Sequence, residues 1–303
     1  MAVRAGLRVV HVDVDPRTMH MIPDQLEESL QDQHDAETAV IVDHTFGYPC
    51  RYVAKFRAAH PEILLIEDCV RSLGARVDGQ AVGAFGDWVL LSMYKTIRGA
   101  ECGAVLLTRT AYDIPPGPVR KTAFRQFASL IGPLRVAYEY RKRRYANYRP
   151  SPRDFESFTW EPRRGQPDAL SQACFWKEIR LLQARVSQRR LVAAELAESL
   201  QSARHIRLIE RDNNCQLAAT HLSFTFEGES RDRFLESLHR RGLFLIRAWN
   251  TVPAFIRSLQ GTFPFGSTGG TYLADRIAHI PIDGNLSSER RQRLVGSILP
   301  RDS

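Results

Sequence analysis

The chain has 303 residues, 44% hydrophobic and 25% charged, with a formal net charge of +8 and a pI of about 9.5. This is an ordinary globular composition and excludes a collagenous or low-complexity chain; no apolar run approaches the roughly 20 residues of a transmembrane helix. The basic balance suits phosphate-bearing ligands or an anionic surface without identifying either.

Residues 7–14 (LRVVHVDV) read as a strand closed by Asp15-Pro16. Ile22-Pro23-Asp24 opens a helix carrying Leu26 and Leu30. Thr38–Asp43 is the next strand, running into the turn-rich His44-Thr-Phe-Gly-Tyr-Pro49, and residues 50–60 read as a helix. Two short apolar runs follow, Ile63–Ile66 and Trp88–Met93. Each ends in polar chemistry: Glu67-Asp68 after the first, Ser92 and Lys95 at the second. The alternation of strand and helix predicts a parallel α/β sheet. In such sheets ligands sit outside the carboxyl ends of the strands, so a carboxylate and a lysine delivered there face one bound molecule. Taken singly, Asp68 also fits a helix cap and Lys95 a solvated loop. Ala104–Thr108 comes too soon for a helical crossover and is predicted to return antiparallel.

After Ile114-Pro-Pro-Gly-Pro118, residues 120–149 hold nine Lys/Arg and one acid, interleaved with Phe124, Phe127, Leu130, Ile131, Leu134, Val136, Tyr138 and Tyr140. This reads as one or two amphipathic helices with a solvated basic face; a weak membrane-surface contact, or one to an anionic glycan, is the sharper alternative. The run matches no nucleic-acid recognition module. Pro150–Pro167 is a Pro/Arg-rich linker with Phe155, Phe158 and Trp160. Asp168–Leu200 is the clearest long helix, with Leu170, Ala173, Cys174, Ile179, Leu182, Val186 and Leu196 at helical spacing. His221–Phe226 reads as a half-buried strand, Arg231–Arg241 as a helix closed by Gly242, Leu243–Ile246 as a second strand, and Leu286–Leu299 as the last helix. The organisation predicted is a large α/β domain over residues 1–167, with a basic insertion at 111–167, then a long helix and small α/β domain over 168–303. Cys50, Cys69, Cys102, Cys174 and Cys215 show no CxxC or Cys/His spacing and read as buried free thiols, with no metal site. With no visible signal peptide, the chain reads as cytoplasmic.

The segments IEDCVRSLGA and SMYKTIRGAECGAVLLT resemble the "EDxAxxxGA" and "SFxxxKxxxxGEGGxxxT" segments of the DegT/DnrJ/EryC1/StrS sugar aminotransferases, fold-type I enzymes using pyridoxal 5'-phosphate (PLP). DALSQACFWKEIRLLQARVSQRR resembles that family's "xxLQAAxxxxQLxxxxxxxxRR" helix, and the stretch around Tyr272–Ile282 its closing "LADRILxLPL". The resemblance implies that Lys95 is the Schiff-base lysine and Asp68 the pyridinium partner. It implies that Ser92 helps hold the cofactor phosphate, that Arg71 lies beside the ring, and that His44, in a segment similar to "VHxxGxP", lines the site. Arg247 is a candidate for the carboxylate of an amino donor or a sugar phosphate, and equally reads as a surface arginine at a strand end. Two positions depart from the pattern: Ser92 and Lys95 are two residues closer than usual, and Arg71 replaces a glutamine or histidine. The family's Asn-x-Arg before the long helix is not recognisable near Pro167-Asp168.

The implied reaction is amino transfer from an amino acid, glutamate foremost, to a nucleotide-linked keto sugar. The implied assembly is a homodimer, with Phe155, Phe158, Trp160, Phe175 and Trp176 as an aromatic cluster suited to its interface. LRVVHVDVDP resembles the family's third strand region, so the family pattern places a helix, a strand and a Gly/Ser-Thr phosphate loop before it. From this we expect an N-terminally shortened relative, and the alternative reading is a non-catalytic homologue that keeps the fold for assembly or ligand binding.

Overall fold

The computed structural model describes residues 2, 6–31, 37–92, 95–96, 104–111, 169–247, 261–282 and 286–299. The basic segment 120–149, the linker 150–167 with its three aromatics, and the position of the missing Asn-x-Arg lie outside these.

Helix α1 spans Pro23–Gln31, strand β1 Ala39–Asp43, α2 Tyr52–Ala59, β2 Leu64–Asp68, β3 Arg76–Val77, β4 Gln80–Ala81, β5 Trp88–Ser92 and β6 Ala104–Thr108. β1, β2, β5 and β6 form one sheet in that order. β1–β2 and β2–β5 pair in parallel, and β6 returns antiparallel on β5, as its short connection dictates. Alternation along β1 and β2 turns Val40, Val42 and Leu65 into a core with Leu26 of α1 and Val53 and Phe56 of α2.

The C-terminal part begins with α3, Ala169–Leu200, a single helix of 32 residues. Then come β7 Ile206–Leu208, β8 Cys215–Gln216, β9 His221–Phe226, α4 Arg231–Arg240, α5 Thr268–Arg276, β10 Ile277–Pro281 and α6 Ser288–Ile298. β9 lies between β10 and β7, antiparallel to both. β9 is not half-buried: all six of its residues are buried. As the central strand it is enclosed by Leu196 and Leu200 of α3, Leu294 and Ile298 of α6, and Phe46 and Tyr48 of the first unit. Ser230 and Ser287 accept N–H bonds at the starts of α4 and α6, and Gly242 leaves α4 at φ +78°.

Two expected strands do not form. Residues 7–14 make only single bridges, Val10 to Thr262 and Val14 to Met21, and Ile246 makes one to His279. The side chain of Asp13 instead accepts the Gly269 and Gly270 N–H groups at 2.8 and 2.9 Å, capping the start of α5. This docks the N-terminal stretch on the C-terminal unit. Among the described cysteines Cys50 and Cys69 are buried, whereas Cys174 and Cys215 are partly exposed. No helix among the described residues is long and apolar enough to cross a membrane.

Candidate active site

Three parallel strands deliver polar residues to one edge of the sheet. Asp43 ends β1 and is the register partner of Asp68, which ends β2. Asp68 in turn pairs with Leu90, so Ser92 lies two residues beyond on the same face of β5. Ser92 is 4% exposed, and its Oγ accepts the Lys95 N–H at 3.2 Å, which turns the chain and leaves the Lys95 side chain in solvent. Asp68 Oδ1 accepts the Val70 N–H at 3.0 Å, turning the chain toward Arg71. Asp43 feels both Asp68 and Lys95: crowding by protein raises its carboxyl and Asp68 adds to this, against the Thr45 hydroxyl, His44 and Lys95. Asp43 is a member of this group that sequence reasoning treated only as a strand end; the apolar run closing on an acid, as in IED, was the available signal.

The Arg71 guanidinium carbon lies 4.8 Å from the Phe46 ring centroid. Phe46 has a left-handed backbone, φ 52°, and stacks on His279 at 3.9 Å with His221 edge-on at 5.2 Å. Burial, with Arg71 and Arg189 nearby, pushes His221 down to about 3. Burial, then His221, Arg71 and Arg231, lowers His279 well below the usual imidazole range. Both rings are therefore neutral at ordinary pH, and Arg71 and Arg189 carry the positive charge there.

His44 is fully buried behind the strand ends. Its Nδ1 accepts the Cys50 N–H at 3.0 Å, which places the proton on Nε2, directed at Glu67 Oε2 2.9 Å away. Glu67 Oε2 also accepts the Gly83 N–H, while Oε1 accepts those of Phe85 and Gly86. Burial pushes the Glu67 carboxyl up, but the bonds from His44, Gly83 and Gly86 outweigh it and hold the carboxyl below its usual range. Ligand atoms of His44, Glu67 and Cys69 lie within 4.8 Å of one another, which is close enough for a metal ion. Yet Nε2 is protonated, both carboxylate oxygens are engaged twice, and burial followed by the Glu67 charge raises the Cys69 thiol. The donor set is that of a hydrogen-bonded plug under the site, not of a cation cage.

Arg247 pairs with Asp232 of α4 at 2.8 Å and is 14% exposed. Of the aromatic cluster, Phe175 is 7% exposed and packs on Leu73 and Val105, whereas Trp176 is 61% exposed. A cavity of about 230 Å³, lined by His20, Tyr48, Cys50, Arg51 and Asp212 among others, includes none of Asp68, Ser92 or Lys95.

Residues 1–112 match the model of the DegT/DnrJ/EryC1/StrS aminotransferase family. A UDP-N-acetyl-3-dehydro-alpha-D-glucosamine 3-aminotransferase of Acidithiobacillus ferrooxidans is 32% identical over 109 residues, 35% of this chain and 29% of that protein. The lipopolysaccharide biosynthesis protein RfbH of Salmonella typhimurium is 35% identical over 107 residues, 34% of this chain and 24% of its own length. These matches thus span between about a quarter and a third of the curated relatives. Among solved structures, a DegT DnrJ EryC1 StrS aminotransferase from Brucella abortus superposes with a TM-score of 0.68 at 21% identity, covering 95% of this chain and 72% of its own. An E. coli GDP-4-keto-6-deoxy-D-mannose-3-dehydratase with bound hydrated PLP gives 0.72 at 18% identity, covering 98% and 75%. Residues 1–112 are thus similar to the DegT/DnrJ/EryC1/StrS aminotransferase family, and the chain as a whole has the fold of the solved aminotransferase from Brucella abortus.

Proposed function

We propose that the chain is a PLP-dependent sugar aminotransferase, moving an amino group from an amino acid, glutamate first among donors, to a nucleotide-linked keto sugar. The observation that carries this reading is the gathering of Asp68, Ser92 and Lys95 at the carboxyl ends of adjoining strands, inside the stretch that matches the family model. A relative named as an aminotransferase of a UDP-sugar supports the substrate class, while one named as an aminotransferase of 2-deoxy-scyllo-inosose supports only a cyclic ketone acceptor.

The donor set fits the cofactor. A solvent-facing primary amine, a carboxylate held by a local turn, a buried hydroxyl and a braced guanidinium match its aldehyde, ring nitrogen and phosphate. When bound, the group supplies an electron sink for the substrate carbon. Asp68 keeps a proton on the ring nitrogen. The Lys95 amine would hold the aldehyde of the group, and its Nζ would carry a proton to and from the reacting carbon. Ser92 donates to the phosphate. Arg71 lies beside the ring, and His44 holds the strand ends from beneath through Glu67. Arg247 takes the donor carboxylate, and two copies of the chain associate in the working form.

The test is to give the purified chain PLP and glutamate and to measure 2-oxoglutarate formed on addition of a nucleotide-linked keto sugar. Turnover that disappears in Lys95→Ala is expected. Turnover unchanged in that variant would sink the reading. One feature favours a second reading, a homologue that binds without catalysing: Arg71 puts a fixed cation where the family pattern has a glutamine or histidine. That reading predicts a PLP-induced spectral change with no transfer.

A further inference from the structure

α3 touches both turns that carry the candidate site residues, and it does so with one face. Val186, Arg189 and Arg190 lie at helical spacing i, i+3 and i+4. A Cβ on Gly74, which has φ +93°, would lie 2.7 Å from Val186 Cγ2, so helix and turn are in close contact there. Arg190 donates to the Gly74 carbonyl at 2.9 Å and to the Leu217 carbonyl at 2.7 Å, fixing the end of the turn that begins at Asp68. Arg189, 8% exposed, donates from Nη1 to the carbonyl of Thr96 at 3.3 Å. Thr96 directly follows Lys95 and is also 8% exposed. Three turns earlier on the helix, Phe175 packs on Leu73 and Val105, one from each side of the same junction.

We infer that Arg189 is a positioning residue for Lys95: the helix holds the lysine turn from its far side by a charged hydrogen bond to the Thr96 carbonyl. The Lys95 side chain faces solvent, and its turn is closed on the near side by the Ser92 Oγ bond to its N–H. Without a second tether the amine would sample many orientations, and a reacting group out of place by an ångström loses much of its rate. A guanidinium suits the task because its planar donors keep their charge in a buried setting. This inference rests on Lys95 being the reactive amine, but the tether itself is testable without any cofactor.

Hydrogen exchange of the unliganded protein, read by mass spectrometry on peptides covering Lys95–Thr96 and β9, compares wild type with Arg189→Met and Arg189→Lys. Loss of one charged hydrogen bond predicts exchange about tenfold faster at the lysine turn in Arg189→Met. Exchange in β9 should be unchanged, with partial restoration in Arg189→Lys. In parallel, borohydride trapping of PLP on Lys95 is expected to slow by about the same factor. Unchanged exchange at the turn overturns the inference, and so does acceleration shared equally with β9, which marks general loosening. If Arg189→Met does not fold, Arg189→Gln, which keeps one donor, carries the same comparison. Failure of wild type to trap PLP would count against the proposed function, while the exchange result would still decide the tether.

Discussion

The Glu67→Gln substitution probes the support beneath the strand ends. Glu67 is fully buried, and each of its carboxylate oxygens accepts two donors. Glutamine offers one acceptor oxygen and an NH2 group. In either orientation the NH2 meets two N–H donors, from Phe85 and Gly86 or from Gly83 and His44. His44 cannot yield by shifting its proton, because Nδ1 is committed to the Cys50 N–H. Two charge-assisted bonds are lost and their donors are left buried, a cost of roughly 3–5 kcal/mol. At about 2.1 cal/mol/K of unfolding entropy per residue, this lowers Tm by about 5–8 °C for 303 residues. The assay is thermal unfolding followed by circular dichroism, with Glu62→Gln, at a side chain 69% exposed, as a control within about 0.5 kcal/mol of wild type. A Tm for Glu67→Gln within a degree of wild type would refute the closed hydrogen-bond count.

Two further outcomes follow from the packing and the buried imidazoles. A Cβ on Gly269 would lie 1.8 Å from the Val14 carbonyl oxygen, whereas one on Gly270 comes no nearer than 3.5 Å to Asp13. Gly269→Ala is therefore expected to destabilise by at least about 3 kcal/mol in thermal unfolding, and Gly270→Ala to be neutral or stabilising by up to about 1 kcal/mol; equal behaviour would contradict the docking of the N-terminal stretch. Burial lowers His221 to about 3 and His20 to about 4. In the unfolded chain both sit near the ordinary value of about 6.5, so the folded state binds fewer protons between these limits. Their contribution is full above the unfolded pKa and is lost as pH falls from there toward the folded values. Urea unfolding should show stability declining from about pH 6.5 downward, with a shallower slope in His221→Gln; an unchanged slope in that variant would show that His221 is not the source.

The strand ends were legible because each short apolar run stops at a polar residue, and that pattern is local. Asp68 ends β2, Ser92 ends the adjoining β5, and Lys95 lies in the turn just beyond it. What was not legible depends on chain that returns from far away. His44 looked like a residue lining the site, and its environment is set by Glu67, 23 residues on, whose other partners come from the 83–86 loop. Residues 7–14 have the alternation of a strand but no neighbouring strand to pair along their length, so only single bridges form. β9 alternates like a half-exposed strand, yet both its faces are covered by helices and by the loop holding Phe46 and Tyr48. Arg189 and Arg190 of α3 read as helix-surface charge in the sequence. Their carbonyl partners at Thr96 and Gly74 lie some hundred residues away and appear only once the helix is docked.

The central claim is that Lys95 is the amine that captures PLP at the ends of these strands. Incubating the protein with PLP, reducing with borohydride and mapping the adduct by peptide mass spectrometry tests it directly. The account predicts one dominant phosphopyridoxyl label on Lys95, absent in Lys95→Ala and weakened in Asp68→Asn. A label spread over surface lysines, or one whose yield is unchanged when Lys95 is replaced, would contradict it.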